Sequence, residues 1–184
     1  MKIAAIIGST RKESYNLKIA KHIQERYRDR FSVDILEIGG LPFYNQDIEN
    51  DPPEEVAEFK KKVADADAVL WVTPEYNGSI SGALKNAIDW LSRVDQVMIG
   101  KPSWIVGASM GALGTVKAQS HLRDILFAPG LSSPVLPGNE VLIGNVHEKV
   151  NDEGKLVDEA TISFLDGAVN NVVHWLEKQF FVHN

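Results

Sequence analysis

The sequence contains no cysteine at all. Disulfides, thiolate nucleophiles and cysteine-ligated zinc or iron–sulfur sites are thereby excluded. Positive charge is also scarce: 19 Lys and Arg face 25 Asp and Glu, for a net charge of -6. A broad nucleic-acid face needs clustered basic side chains, so no nucleic-acid partner is expected. A small anion is still admissible, because a local pocket can be positive on an acidic protein. Long hydrophobic runs are missing too. The apolar residues from Ile3 to Ile7 meet Gly8 at once, far short of a signal peptide or a membrane span. No membrane association and a cytoplasmic location are therefore expected. The five histidines (His22, His121, His147, His174, His183) show no paired ligand spacing, so no metal site is expected. The 14 glycines and 8 prolines are close to the average share, which excludes low-complexity and collagenous chains.

What is present is an ordinary globular composition, 44% hydrophobic over 184 residues. That length fits a single domain spanning 1–184, burying roughly 70% of the surface of its unfolded chain. Short β-branched runs alternate with helical periodicity, the pattern of a βα repeat around a parallel sheet. Strands are expected at residues 2–7, 32–38, 68–73 and 103–108, with a fifth somewhere within 134–146. Helices are expected at 16–30, after Asp51 as cap, at 81–93, at 115–128 and at 158–180. Five such strands predict an α/β doubly wound parallel sheet of order 2-1-3-4-5 with helices on both faces. In that order a ligand sits beyond the carboxyl ends of the strands, where the winding reverses. The loops after strands one, three and four are therefore the place to look.

The first of these reads Gly8-Ser9-Thr10-Arg11-Lys12-Glu13-Ser14-Tyr15-Asn16, directly before a helix. A helix N-terminus offers N–H groups and partial positive charge to a phosphate. Ser9, Thr10, Ser14 and Asn16 add donors, and Arg11 brings a fork matched to phosphate oxygens. A dinucleotide fingerprint would need glycine at Thr10 and a P-loop glycine at Glu13, so neither applies. A plain helix cap would account for Ser14 or Asn16 alone. The second loop runs Thr73-Pro74-Glu75-Tyr76-Asn77-Gly78-Ser79 into Ser81. Tyr76 beside an Asn-Gly turn suits a flat heteroaromatic ligand, although a βα turn with Ser81 as N-cap explains the same residues. Glu75 is expected to shape the loop, since a carboxylate cannot donate. The third loop, Ser109-Met110-Gly111-Ala112-Leu113-Gly114, has glycines that let backbone approach a ligand edge. Trp71, Trp90, Trp104 and Trp175 are expected in the core or an interface.

Three segments together carry a resemblance: Gly8-Ser9-Thr10-Arg11…Ser14…Asn16, Leu41-Pro42…Tyr44-Asn45…Asp47, and Pro74-Glu75-Tyr76-Asn77-Gly78-Ser79…Leu84-Lys85-Asn86-Ala87…Asp89-Trp90. The chain resembles the NADPH-dependent FMN reductases, a flavodoxin-like family that includes azo, quinone and chromate reductases. The resemblance implies FMN, with its phosphate at Ser9, Thr10, Arg11, Ser14, Tyr15 and Asn16. It places the flavin ring along Pro74, Glu75, Tyr76, Asn77 and Gly78, bordered by Ser109, Met110 and Gly111. NADPH or NADH would be the co-substrate, passing hydride to the flavin. A quinone, azo compound, free flavin or oxidised metal ion would then take the electrons in a ping-pong cycle. The flavin carries the chemistry, so no catalytic side chain is expected. A homodimer or dimer of dimers is implied as well. The helix at 115–128 agrees with that, because Leu122, Ile125 and Leu126 share a stripe and Phe127 falls off it.

Overall fold

The computed structural model describes residues 1–181 of the chain. Five strands, β1 (Lys2–Ile7), β2 (Ser32–Glu37), β3 (Ala68–Val72), β4 (Ser103–Ala108) and β5 (Val141–Ile143), form one sheet. All four pairings are parallel and the order is 2-1-3-4-5, as the repeat predicts. Five helices connect or follow them: α1 (Tyr15–Arg26), α2 (Glu54–Ala64), α3 (Gly82–Leu91), α4 (Val116–Leu126) and α5 (Glu159–Phe181).

The period-two alternation of the strands divides the core between two faces. Ile3, Ala5 and Ile7 of β1, with Leu70 and Val72 of β3, face α1 and α5. Ala4 and Ile6, with Val69 and Trp71, face α2, α3 and α4. Central parallel strands need apolar residues on both faces, and every residue of β3 and β4 is buried. Each large aliphatic side chain buried this way contributes about 1.5–3 kcal/mol. Trp71, Trp90 and Trp104 lie in this core and Trp175 is half-buried against it.

Local differences from the sequence expectation have local causes. The first helix stops at Arg26 instead of residue 30. Arg30 and Phe31 both donate their N–H to the Tyr27 carbonyl, and the tight turn this closes feeds the chain into β2. Asp51 does not cap α2. The residue before a proline is pushed to extended backbone, so Pro52 and Pro53 hold the chain out and Pro53 becomes the N-cap, without a side-chain bond. The fifth strand shrinks to three residues. Val135 does bridge to Ser103, but Pro134 and Pro137 have no N–H to continue that ladder.

Candidate functional site

The loops after β1, β3 and β4 emerge side by side because these strands are adjacent in the sheet. They are also bonded to one another. Gly8 N–H donates to the Val72 carbonyl at 2.9 Å, and Ser81 Oγ donates to the Gly8 carbonyl at 2.5 Å while accepting from Leu84 N–H at 3.0 Å. One hydroxyl thus caps α3 and ties the second loop to the first. Asn16 makes the matching tie to the third loop. Its Nδ2 donates to the Ala108 carbonyl at 3.0 Å and its Oδ1 accepts from Ala108 N–H at 2.9 Å. Asn16 is only 3% exposed, so its side chain braces the strand ends and does not stand out as a free donor.

Unspent donors remain in the first loop. Ser14 is the N-cap of α1, its Oγ accepting from Leu17 N–H at 3.3 Å, which leaves its hydroxyl proton to give. Ser9 Oγ accepts from Arg11 N–H. Among the described residues no protein acceptor takes the N–H of Thr10, Lys12, Tyr15 or Asn16, or the Thr10 hydroxyl. The Arg11 guanidinium makes no ion pair among them either; it lies over the Tyr15 ring, 5.5 Å from the centroid. Lys18 Nζ lies 5.4 Å from the same centroid and 3.0 Å from Glu13 Oε2. The hydrogen bond and charge of Lys18 hold the Glu13 carboxyl below its ordinary range, so Glu13 stays ionised and engaged at the loop's edge. A cluster of unspent donors at a helix N-terminus fits a phosphate monoester.

The second loop is a two-residue hairpin. Tyr76 and Ser79 exchange both backbone hydrogen bonds, at 2.9 and 3.0 Å. Asn77 and Gly78 take φ of 53° and 74°, the pair of positive values that makes Asn-Gly the favoured sequence for such a turn. Its orientation is set from α4. Thr115, the N-cap of α4, makes no side-chain cap bond. Glu75 supplies the missing acceptor from another loop: its Oε2 accepts from Lys117 N–H at 2.9 Å and Ala118 N–H at 3.1 Å. One turn further along α4, His121 Nδ1 pairs with Ser79 Oγ at 2.7 Å. With Glu75 and Ser79 turned toward α4, Tyr76 is left 51% exposed and the N–H groups of Glu75, Asn77 and Gly78 have no protein partner among the described residues. In the third loop Ser109 Oγ accepts from Gly111 N–H at 3.0 Å, and Met110 and Leu113 stand exposed. A polar cradle therefore opens beside a π surface, a thioether and free backbone donors. These groups fit a phosphorylated heteroaromatic.

The Leu41-Pro42…Tyr44 segment serves the site by bracing it. Asn86 Nδ2 and Trp90 Nε1 both donate to the Pro42 carbonyl at 2.9 Å, and Asn86 Oδ1 accepts from Tyr44 N–H at 2.7 Å. Tyr44 meets Trp90 edge-on at 5.1 Å and donates its hydroxyl to Glu49, which Arg93 also holds. Those two donors hold the Glu49 carboxyl below its ordinary range, and the carboxylate in turn pushes the Tyr44 phenol up. The clamp leaves Phe43 86% exposed. Sequence reasoning did not single out Phe43, Leu113, His121 or Lys117; an apolar residue inside a polar loop was the available signal for the first two. Among the described residues no cluster of three His, Asp or Glu side chains could hold a metal ion, and His183 lies outside them.

Known proteins are similar to the chain along almost its whole length. The profile of the family described as NADPH-dependent FMN reductase matches residues 1–148. A 2-hydroxy-1,4-benzoquinone reductase of Burkholderia is 40% identical over 178 residues, covering 96% of each chain. An NADH-dependent flavin reductase subunit 2 of Lactobacillus johnsonii is 39% identical, covering 97% of this chain and 98% of its own. Among solved structures, FerB of Paracoccus denitrificans, a flavoenzyme NAD(P)H:(acceptor) oxidoreductase, superposes with a TM-score of 0.87 at 38% identity, covering 97% and 98%. With its flavodoxin-like sheet, the chain belongs to the NADPH-dependent FMN reductase family, oxidoreductases that work with FMN and a nicotinamide nucleotide.

Proposed function

We propose that the chain holds FMN with its phosphate among Ser9, Thr10, Arg11, the Ser14 hydroxyl and the N–H groups of Tyr15 and Asn16. The ring would lie along residues 74–78, with Ser109, Met110 and Gly111 at its border. The observation that carries this reading is the set of unspent donors in the first loop beside the exposed Tyr76 and Met110. When bound, FMN supplies the capacity to accept hydride and to release electrons singly or in pairs. The protein positions the ring, anchors its phosphate and leaves one face open.

Donor and acceptor then use that face in turn, which is ping-pong turnover. The acceptor favoured here is a quinone, in keeping with the quinone reductases among the relatives; azo compounds, free flavin and oxidised metal ions are the alternative acceptors. The working form is a homodimer or a dimer of dimers, a single domain per chain, in the cytoplasm; no described helix is long and apolar enough to cross a membrane. Steady-state rates with NADH or NADPH against several concentrations of a benzoquinone test the cycle. Parallel double-reciprocal lines are expected. Intersecting lines would show donor and acceptor bound together and overturn the shared face.

A further inference from the structure

A cavity of about 730 Å³ lies between α1 and the turn at residues 153–156; its lining includes Lys12 and Glu13 of the first loop but none of the side chains proposed to hold FMN. Its wall carries five Lys or Arg and three Glu side chains, on a chain whose net charge is -6. Ion pairs engage part of this set: Lys18 with Glu13 at 3.0 Å, Lys155 with Glu153 at 3.4 Å, and Arg26 with Asp166 at 2.8 Å. Lys12 and Lys21 have no ion pair among the described residues. Between the charges lie Leu17 and Leu156, the second rooted in the core.

The wall facing α1 is preformed. Val150 and Leu156 make an antiparallel bridge, Asn151 N–H donates to the Lys155 carbonyl, and Lys155 N–H donates to Asn151 Oδ1, both at 2.9 Å. Gly154, at φ 77°, lets this turn close onto α1; a Cβ there would stand 3.0 Å from Lys18 Cε. The His22 ring is also part of the lining, and its Nε2 is buried without a hydrogen-bond partner. Such atoms are rare and call for a reason. Burial and the nearby Arg26 hold the imidazole below its ordinary pKa, so it stays neutral at pH 7. A half-turn of the ring would exchange the buried nitrogen for the opposite edge.

Free ammonium groups, an unpaired carboxylate and an apolar floor are three different demands on one occupant. A phosphate answers the first, a ribose hydroxyl the second and a base the third, and cavities of roughly 300–1,000 Å³ hold molecules of that size. We propose that this cavity binds a nucleoside monophosphate, with its phosphate between Lys12 and Lys21, a ribose hydroxyl donating to Glu25, and its base on Leu17 and Leu156.

The test is calorimetric titration of the FMN-loaded protein with AMP, adenosine and inorganic phosphate. AMP is expected to bind once per chain. Adenosine and phosphate should each bind at least about tenfold more weakly, the loss expected when one half of the recognition is removed. Lys21→Glu, an exposed change, should weaken AMP by roughly tenfold or more while FMN content and reductase turnover stay the same. The His22 ring resonances should shift on saturation. Absence of AMP binding at millimolar concentration would overturn the proposal, as would unchanged affinity in Lys21→Glu. Release of FMN by AMP would place the nucleotide in the flavin cradle and overturn it equally. Intersecting kinetics in the quinone assay bear on the flavin reading alone and leave these outcomes readable.

Discussion

Replacing Glu75 with alanine separates a loop that is braced from one that is merely present. Its carboxylate takes the N–H groups of Lys117 and Ala118, the second and third residues of α4, and Thr115 offers no side-chain substitute. Losing a side-chain cap costs about 0.5–2 kcal/mol. The attraction of a carboxylate for the helix N-terminus contributes about 0.3–1 kcal/mol of its own. An alanine variant should therefore lose about 1–2 kcal/mol in urea unfolding, and its melting temperature should fall by about 3–6 °C for a chain of this length. Glu75→Gln keeps an acceptor and gives up the charge, so it should lose about 0.3–1 kcal/mol. FMN affinity should follow the same order, falling about tenfold or more in alanine because binding must then order the hairpin as well. The assays are urea denaturation of the apoprotein and quenching of FMN fluorescence on titration. An alanine variant within about 0.5 kcal/mol of wild type, a resolvable margin for a cap, with undiminished FMN affinity would refute the bracing role.

Arg11→Gln should weaken FMN by roughly 10- to 100-fold through loss of a charge-assisted contact, with riboflavin binding unchanged; equal loss for both ligands would show that Arg11 supports the loop and not the phosphate. Phe127 is 85% exposed beside a cleft of about 950 Å³ that includes Trp175 and Val135, so Phe127→Asp should shift the protein toward monomer in light scattering at micromolar concentration. A wild-type protein that is monomeric and fully active there would remove the reason for the change. Asp166 accepts two hydrogen bonds from Arg26 and one from the Tyr27 hydroxyl, and these lower its pKa to about 2. A depressed carboxyl pKa adds stability that is complete above the unfolded value and fades as pH falls through the folded one. The stability gap between wild type and Asp166→Asn should thus be constant from pH 7 to 5 and shrink from about pH 4 toward 2, with a size held to about 1 kcal/mol by solvent exposure. A gap that does not change with pH would show that shape, not charge, is at stake.

Most of the fold was legible because its signals are local. Buried runs such as Ala-Val-Leu-Trp-Val at β3 and the three- and four-residue spacing of Leu17, Ala20, Ile23 and Tyr27 need no distant partner to be read, although α1 also buries Ile19 and leaves Leu17 half-buried. Ends were less legible, since α1 is stopped by a turn that also has to reach β2, and Asp51 loses its cap to two prolines. At the site, the donors of residues 9–14 were visible as composition. Their bracing was not. Asn16 meets Ala108 across 92 residues and Glu75 meets α4 across 42, and nothing in either neighbourhood names the partner. Glu75 could be expected to shape its loop, but the helix it caps had to be seen.

The ties among the loops also bear on where the chain can be lengthened. Connecting segments usually accept insertions because they run free over the surface. Here Ser81 to Gly8, Asn16 to Ala108 and Glu75 to α4 make three connections share one fixed geometry. A residue added to any of them must disturb the other two, so tags, fused domains and new termini belong elsewhere. The exposed turn at residues 28–30 meets that requirement, since it lies at the opposite end of the sheet from the crowded edge.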